Sequence, residues 1–233
     1  VTSSTAAGCI LIVDDEPAIR RLLRTTLRVH EYEVLEAATA AEALVTVASR
    51  KIDVIILDLG LPDADGNDVI RKVRENLTLP IIVLSARNDE RGKVAALDAG
   101  ADDYVTKPFS VEELMARIRA ALRHHVQAQG GQPVFHSANL TVDLVRRIVT
   151  RDDTEVKLSP KEYAILQQLV IHAGKVLTHR HLLREVWGNE NDDDVPYLRV
   201  YIRQLRAKLE ENPEQPQLIV TEAGVGYRLR GED

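Results

Sequence analysis

The chain holds a single cysteine, Cys9, so no internal disulfide can form. Cys9 opens the apolar run Cys9 to Val13, which suits a buried strand thiol better than a reactive one, and the usage fits a reducing cytoplasm. No apolar run approaches the ~18 residues needed to cross a bilayer, so a membrane protein is not expected. The stretch Val1 to Gly8 is small and polar, without a basic segment or an apolar core, and reads as a flexible tail and not a signal peptide. A Gly-x-x-x-x-Gly-Lys-Ser/Thr loop is missing, which removes a P-loop nucleotide site. Internal repeats and low-complexity tracts are missing as well. Excess positive charge is also lacking, since the net charge is -6. The first 127 residues carry 16 basic and 20 acidic side chains, and the remainder 14 and 16. Any nucleic-acid site must therefore be a local stripe of Lys and Arg.

What is present is a chain of 233 residues, 45 % hydrophobic and 28 % charged, long enough for two globular domains. Short apolar runs recur at Ile10 to Val13, Val34 to Glu36, Val54 to Leu57, Ile81 to Leu84 and Tyr104 to Val105. Between them lie helix-length stretches such as Pro17 to Val29, with Ile19, Leu22, Leu23 and Leu27 at helical spacing. Strands alternating with helices predict a parallel sheet covered on both faces, whose ligand site lies outside the carboxyl ends of the strands. The pattern closes with a helix from Ser110 to His124, where Ser110 and Glu113 have the spacing of a capping box. Val126 to Pro133, rich in Gln and Gly, reads as a linker between a domain at 9–125 and another at 134–233.

The chemistry of the first half sits at strand ends. Asp14 and Asp15 follow the first strand, Asp58 ends the third, Ser85 the fourth, and Lys107 follows the fifth. On one rim, clustered carboxylates call for a cation, and a hard oxygen-binding ion such as Mg²⁺ suits Asp14, Asp15 and Asp58. Such an ion, with Lys107 and the Ser85 hydroxyl, can hold the oxygens of an incoming phosphoryl group while Asp58 acts as nucleophile and becomes an aspartyl phosphate. A single Asp at a loop is more often a solvated side chain; five suitable residues at strand ends of one α/β pattern reverse that preference.

Asp14-Asp15, the run Leu57-Asp58-Leu59-Gly60-Leu61-Pro62 with Gly66, Ser85-Ala86 and Lys107-Pro108-Phe109 resemble the receiver domain of bacterial response regulators. The resemblance implies a doubly wound, flavodoxin-like sheet of five parallel strands, a cis bond before Pro108, and a sensor histidine kinase as phosphoryl source. It implies a switch in which Ser85 turns toward the phosphoryl group and Tyr104 moves inward, although a half-buried strand aromatic is the ordinary reading of Tyr104. In the OmpR/PhoB subfamily, residues matching Lys93 with Glu113, Asp98 with Arg119, and Asp103 with Arg117 pair across a dimer face. All six carry the required sign here, and a homodimer on phosphorylation is expected. Haloacid-dehalogenase-like phosphatases also use an aspartate nucleophile, but they need a second acid two residues on, where this chain has Gly60.

In the second half, Ser159-Pro160-Lys161-Glu162 starts a helix with an N-cap, a proline at the first position and a capping-box Glu. That helix runs to about His172, with Gly174 ending it. A second starts at Thr178 and stops near Trp187-Gly188; an acidic loop, Glu190 to Asp194, precedes a third from Pro196 to about Glu211. Three helices flanked by short strands, with a final hairpin around Ala223 to Tyr227, fit an α+β winged helix-turn-helix. In the third helix Leu198, Ile202, Leu205 and Leu209 form one apolar stripe. Arg199 and Arg203 lie about 100° to 140° round from it, with Arg206 at the core edge and Val200, Gln204 and Ala207 beyond. A solvated basic face would explain an isolated helix of this kind. At the end of a helix-turn-helix, followed by Gly224 to Arg228, it predicts major-groove entry with Arg199, Arg203, Gln204 and Arg206 as the DNA-contacting candidates, and Arg228 reaching phosphate or the minor groove.

From about Val134 onward the chain resembles the OmpR/PhoB effector domain, notably over Leu158 to Tyr163, Gly174 to Trp187 and Gly224 to Arg228. Within that subfamily, Leu57 to Asp65, Ala95 to Tyr104, Trp187-Gly188 and Tyr197 to Arg199 look like the regulators of high-affinity potassium-transport (KDP) operons. The resemblance implies a phosphorylation-switched regulator of transcription acting on double-stranded promoter DNA, with RNA polymerase a further candidate partner. The competing reading, an aspartyl-phosphate phosphatase whose second domain only oligomerises, lacks both its second acid and a reason for the arginine stripe.

Overall fold

The computed structural model describes residues 8–86, 90–137, 139–188 and 194–230, and the chain divides into two compact units with the boundary between His125 and Val126. All but Gly8 of the expected N-terminal tail lies outside the described residues.

The first unit alternates β1 (Cys9–Val13), α1 (Pro17–Val29), β2 (Glu33–Ala37), α2 (Ala40–Ser49), β3 (Val54–Asp58), α3 (Gly66–Arg74), β4 (Ile81–Ala86), α4 (Glu90–Asp98), β5 (Asp103–Lys107) and α5 (Val111–Ala128). Its five strands are parallel in the order β2-β1-β3-β4-β5. The period-two alternation of a strand sends Ile10 and Ile12 to one face, against Leu23 and Leu27 of α1 and Leu114 and Ile118 of α5. Leu11 and Val13 go to the other, against Ala43 of α2, Val69 and Val73 of α3 and Ala96 of α4. The four β1 side chains Ile10 to Val13 are fully buried. Each such side chain contributes about 1.5–3 kcal/mol through burial, so both faces of the sheet are anchored and the strand ends are held still.

Two contacts fix the loop after β3. The Asp63 carboxylate accepts the amides of Ala40 (2.8 Å) and Ala41 (3.0 Å) at the start of α2, and these bonds hold its pKa below the usual carboxylate range. Gly66 opens α3 so close to the preceding strand that a Cβ there would lie 2.7 Å from Leu59 Cα. Ser110 caps α5, its hydroxyl accepting the Glu113 amide at 3.1 Å. That helix continues past the expected end at His124 to Ala128, so the stretch read as linker begins helical, and Val126 joins the second unit's core at 5 % exposure. The apolar signal of Val126 had no partner visible in the local sequence.

The second unit comprises β6 (Val134–Ser137), β7 (Leu140–Asp143), β8 (Ile148–Arg151), β9 (Thr154–Glu155), α6 (Pro160–Ile171), β10 (Val176–Thr178), α7 (His179–Trp187), α8 (Val195–Leu209), β11 (Ile219–Glu222) and β12 (Gly226–Leu229). Strands β6 to β9 form an antiparallel meander, and β10-β12-β11 a second sheet. The Ser159/Glu162 capping box is present. Strand β10 escapes sequence reading because three residues give no period to detect. Gly226 is where β12 meets β10: a Cβ would lie 1.8 Å from the Leu177 carbonyl oxygen. The third helix ends at Leu209 and not near Glu211, because buried Glu210 turns its carboxylate onto the amides of Gln217, Leu218 and Ile219. Most of the acidic loop ahead of it, Glu190 to Asp193, lies outside the described residues.

Candidate phosphoryl site and nucleic-acid interface

The register places the acids on one rim. Val13 is opposite Leu57 in the β1–β3 pair, so Asp14 leaves the sheet beside Asp58, and Ala86 is opposite Lys107 in the β4–β5 pair. Lys107 Nζ lies 2.9 Å from Asp14 Oδ2 and 2.8 Å from Asp58 Oδ1, and 3.7 Å from Glu16 Oε1. Asp14 is fully buried, while the side chains of Asp58 and Lys107 keep 16 % and 21 % of their exposure. The amides of Glu16 and Gly60 donate to Asp14 Oδ1 and Asp58 Oδ2, at 2.8 and 2.9 Å. Arg20 donates to the Asp14 carbonyl at 2.6 Å. Burial pushes the Asp14 carboxyl up and the neighbouring Asp58 charge adds to that, against the pull of Lys107 and the Glu16 amide. For Lys107, burial acts downward, yet the two carboxylates outweigh it and raise the ammonium pKa.

Ser85 is buried at the end of β4, and the Lys107–Pro108 bond is cis. Asp15 is exposed on the loop after β1. Among the described residues, no three His, Cys, Asp or Glu side chains converge closely enough to hold a metal unaided. The donor chemistry nonetheless fits a hard divalent ion: all candidate ligands are oxygens, and Asp14 is a buried carboxylate raised by burial and by a like-charged neighbour. Two groups at this rim went unread in the sequence. Glu16 stands within ion-pair reach of Lys107, and Gly60 serves through its amide, with room for a Cβ only 3.2 Å from Asp58 Oδ2. Glu16 could have been found from its place beside Asp14-Asp15; a backbone donor leaves no residue-type signal.

Tyr104 is half-buried, with Lys93 Nζ 5.1 Å from its ring centroid. Arg117 donates to both Asp103 oxygens at 2.9 Å and to Glu113 at 3.0 Å within the same chain. These bonds, the Asp103 pair foremost, raise its pKa. Asp98 is exposed and Arg119 half-buried.

On α8, Leu198, Ile202, Leu205 and Leu209 are buried at 2 % exposure or less, and Arg199, Arg203, Gln204, Tyr197 and Val200 stand exposed. Arg206 departs from the expected DNA face. Its guanidinium donates to the Ile219 carbonyl (2.7 Å) and to Thr221 Oγ1 (2.7 Å), and its carbon lies 5.9 Å from the Tyr227 ring centroid. It ties α8 to β11, a long-range capture that helical spacing does not reveal. Arg228 is ion-paired with Glu222 across the β11–β12 hairpin. Burial pushes the Tyr227 hydroxyl up, partly offset by Arg199, which bonds to it, and by Arg206.

Two family matches cover these units: the response regulator receiver domain over residues 10–119, and the C-terminal domain of transcriptional regulatory proteins over residues 153–229. The KDP operon transcriptional regulatory protein KdpE of Escherichia coli (strain K12) is 50 % identical over 220 residues, spanning 94 % of this chain and 98 % of that one. The transcriptional regulatory protein KdpE of Mycobacterium tuberculosis (strain ATCC 25618 / H37Rv) is 50 % identical over 221 residues, with the same shares of 94 % and 98 %. A CheY-like response regulator receiver domain protein from Methanospirillum hungatei JF-1 matches in structure with a TM-score of 0.50 at 30 % identity, covering 53 % of this chain and 99 % of that one.

Proposed function

Because this chain belongs to the OmpR/PhoB-type response regulators, which join a receiver to a DNA-binding transcriptional regulatory domain, we propose that a phosphoryl group on Asp58 switches it and that α8 then reads duplex promoter DNA. Its function is regulation of transcription, and it is not an enzyme in the ordinary sense. The observation that carries the proposal is the sharing of one ammonium, Lys107, by Asp14 and Asp58 at the carboxyl rim of a parallel sheet.

An Asp58 carboxylate oxygen attacks phosphorus, the bond from phosphorus to the donor breaks, and the donor, a phosphohistidine of a sensor kinase, keeps that electron pair. Lys107 exchanges part of its contact with the carboxylates for a phosphoryl oxygen, and the Ser85 hydroxyl donates to another. The Gly60 amide holds the non-attacking oxygen of Asp58, so the nucleophile keeps one orientation. Asp14, Asp15 and Asp58 would hold Mg²⁺, which supplies neutralisation of the charge gathered on the rim. The same groups would assist hydrolysis of the aspartyl phosphate. Tyr104 would turn inward as Ser85 moves, and Lys93, Asp98, Asp103, Glu113, Arg117 and Arg119 would pair two receivers, bringing two α8 helices onto adjacent half-sites.

No described helix is long and apolar enough to cross a membrane. The reading places the protein in the cytoplasm. Identity of 50 % to KdpE proteins over nearly the whole chain supports potassium-transport genes as the regulated set. The test is Asp58→Asn, an isosteric change that removes the nucleophile. It should abolish labelling by acetyl phosphate with Mg²⁺ while leaving the circular dichroism spectrum intact; undiminished labelling would exclude Asp58. A footprint by phosphorylated protein on DNA upstream of its own gene tests the second half.

A further inference from the structure

A helix that reads base edges must be held in rotation and depth, and the apolar stripe of α8 supplies attraction without direction. Arg206 holds one flank of that stripe to β11 through Ile219 and Thr221, and the directional contacts on the other flank come from the first turn of α6. Glu162 is 3 % exposed, and its Oε2 accepts the Ser159 amide at 2.5 Å and the Lys208 ammonium at 2.7 Å. The same ammonium donates to the Lys157 carbonyl at 3.0 Å. Burial alone would push the Glu162 carboxyl up, yet Lys208 and the Ser159 amide outweigh it and hold the pKa below the ordinary range, so the carboxylate is charged while α8 is docked. One residue earlier, Lys161 donates to the Val186 carbonyl at 2.6 Å and lies 5.0 Å from the Trp187 ring centroid, and that ring packs 5.5 Å from Tyr201 of α8. The two attachments, at Tyr201 and Lys208, are roughly two turns or 10 Å apart along α8. Arg203 and Gln204 lie between them.

We propose that Glu162 is the positioning residue of the DNA-reading helix: through Lys208 it fixes the rotation and depth at which α8 presents Arg199, Arg203 and Gln204. The inference rests on the reading of α8 as the DNA-contacting helix. Stability alone is a poor account of this pair, because the Lys208 side chain is 37 % exposed and solvent screens the attraction, whereas the bonds to Glu162 and Lys157 still impose one geometry. Removing one partner leaves α8 on its apolar stripe, the Trp187 contact and the Arg206 bonds to β11, with less on the α6 flank to oppose a turn that misplaces a base contact.

The test compares two affinities of the full chain, incubated with acetyl phosphate and Mg²⁺. One probe is a duplex that the wild-type protein selects from a randomised pool; the other is a scrambled duplex of equal length. In Glu162→Gln the ratio of selected to scrambled affinity should fall by about tenfold or more, the size expected when a base-edge contact is lost. Affinity for the scrambled duplex should hold or rise, since phosphate attraction survives and one negative charge is gone. Lys208→Met should lower the ratio in the same way. Glu214→Gln, the same charge change on an exposed residue of the same unit, should leave it unaltered. An unchanged ratio in both Glu162→Gln and Lys208→Met overturns the proposal. Equal losses on both duplexes, tracking a fall in melting temperature, also overturn it by making Glu162 a support of the fold alone. If the wild-type protein selects no sequence, the reading of α8 fails, and the positioning role with it.

Discussion

Replacing Lys107 by Met removes the only positive charge between a fully buried carboxylate and a second one with 16 % of its exposure left, among the described residues of the rim. Asp14 would keep the Glu16 amide on Oδ1 but lose the 2.9 Å ammonium on Oδ2, and the repulsion from Asp58 would be uncompensated. Breaking a fully buried ion pair from one side costs about 3–5 kcal/mol. Lys107 and Asp58 retain some solvent, so the cost falls to about 2–3 kcal/mol for the metal-free protein. For a unit of this size that lowers the receiver transition by roughly 10 °C in calorimetry. Because a divalent cation can take over the neutralisation, Mg²⁺ should restore more stability to the variant than to the wild type. Phosphoryl uptake from acetyl phosphate should remain impaired even with Mg²⁺. A metal-free variant melting within a degree of wild type, or a Mg²⁺ response no larger than the wild type's, would refute the view that Lys107 compensates buried negative charge.

Arg203→Ala should weaken specific binding by about 1–3 kcal/mol if its guanidinium meets a base edge, whereas Arg206→Ala should act mainly on stability because its bonds go to Ile219 and Thr221; melting and duplex titration of both variants separate the two. Arg117→Glu should leave Asp58 phosphorylation intact and cost at most about 1 kcal/mol of stability, its pairs being partly exposed, yet abolish phosphate-dependent dimerisation in sedimentation, with partial recovery on adding Asp103→Arg. Burial, helped by the nearby charges of His181 and Lys175, holds the His172 pKa below its ordinary value. The unfolded chain therefore takes up a proton as pH falls through about 6.5 while the native His172 stays neutral, so stability is lost below that pH until the folded pKa is reached. His172→Gln should flatten this acid-side loss; an identical pH profile in urea denaturation would contradict it.

Much of this molecule was decided locally. Asp14, Asp58 and Lys107 were legible as neighbours on one rim because a parallel strand buried on both faces writes itself as an unbroken apolar run, and whatever follows the run stands at the strand's end. Helix starts at Ser159 and Ser110 were legible because a cap is satisfied by residues three apart. The apolar stripe of α8 was legible for the same reason, as a period of the chain itself. What spacing does not carry is the identity of partners brought from afar. Lys107 stands 93 residues from Asp14, Lys208 is 46 residues from Glu162, and Arg206 was counted with the DNA face until β11 supplied a carbonyl to take it. The Gly60 amide, the capture of Val126 by the second core, and the strand β10 that exists only against β12 belong to the same class. Periodicity and capping depend on neighbours within a turn or a strand, so the sequence alone determines them. Which cation meets which carboxylate depends on sheet register and helix docking, which exist only once the chain has closed on itself.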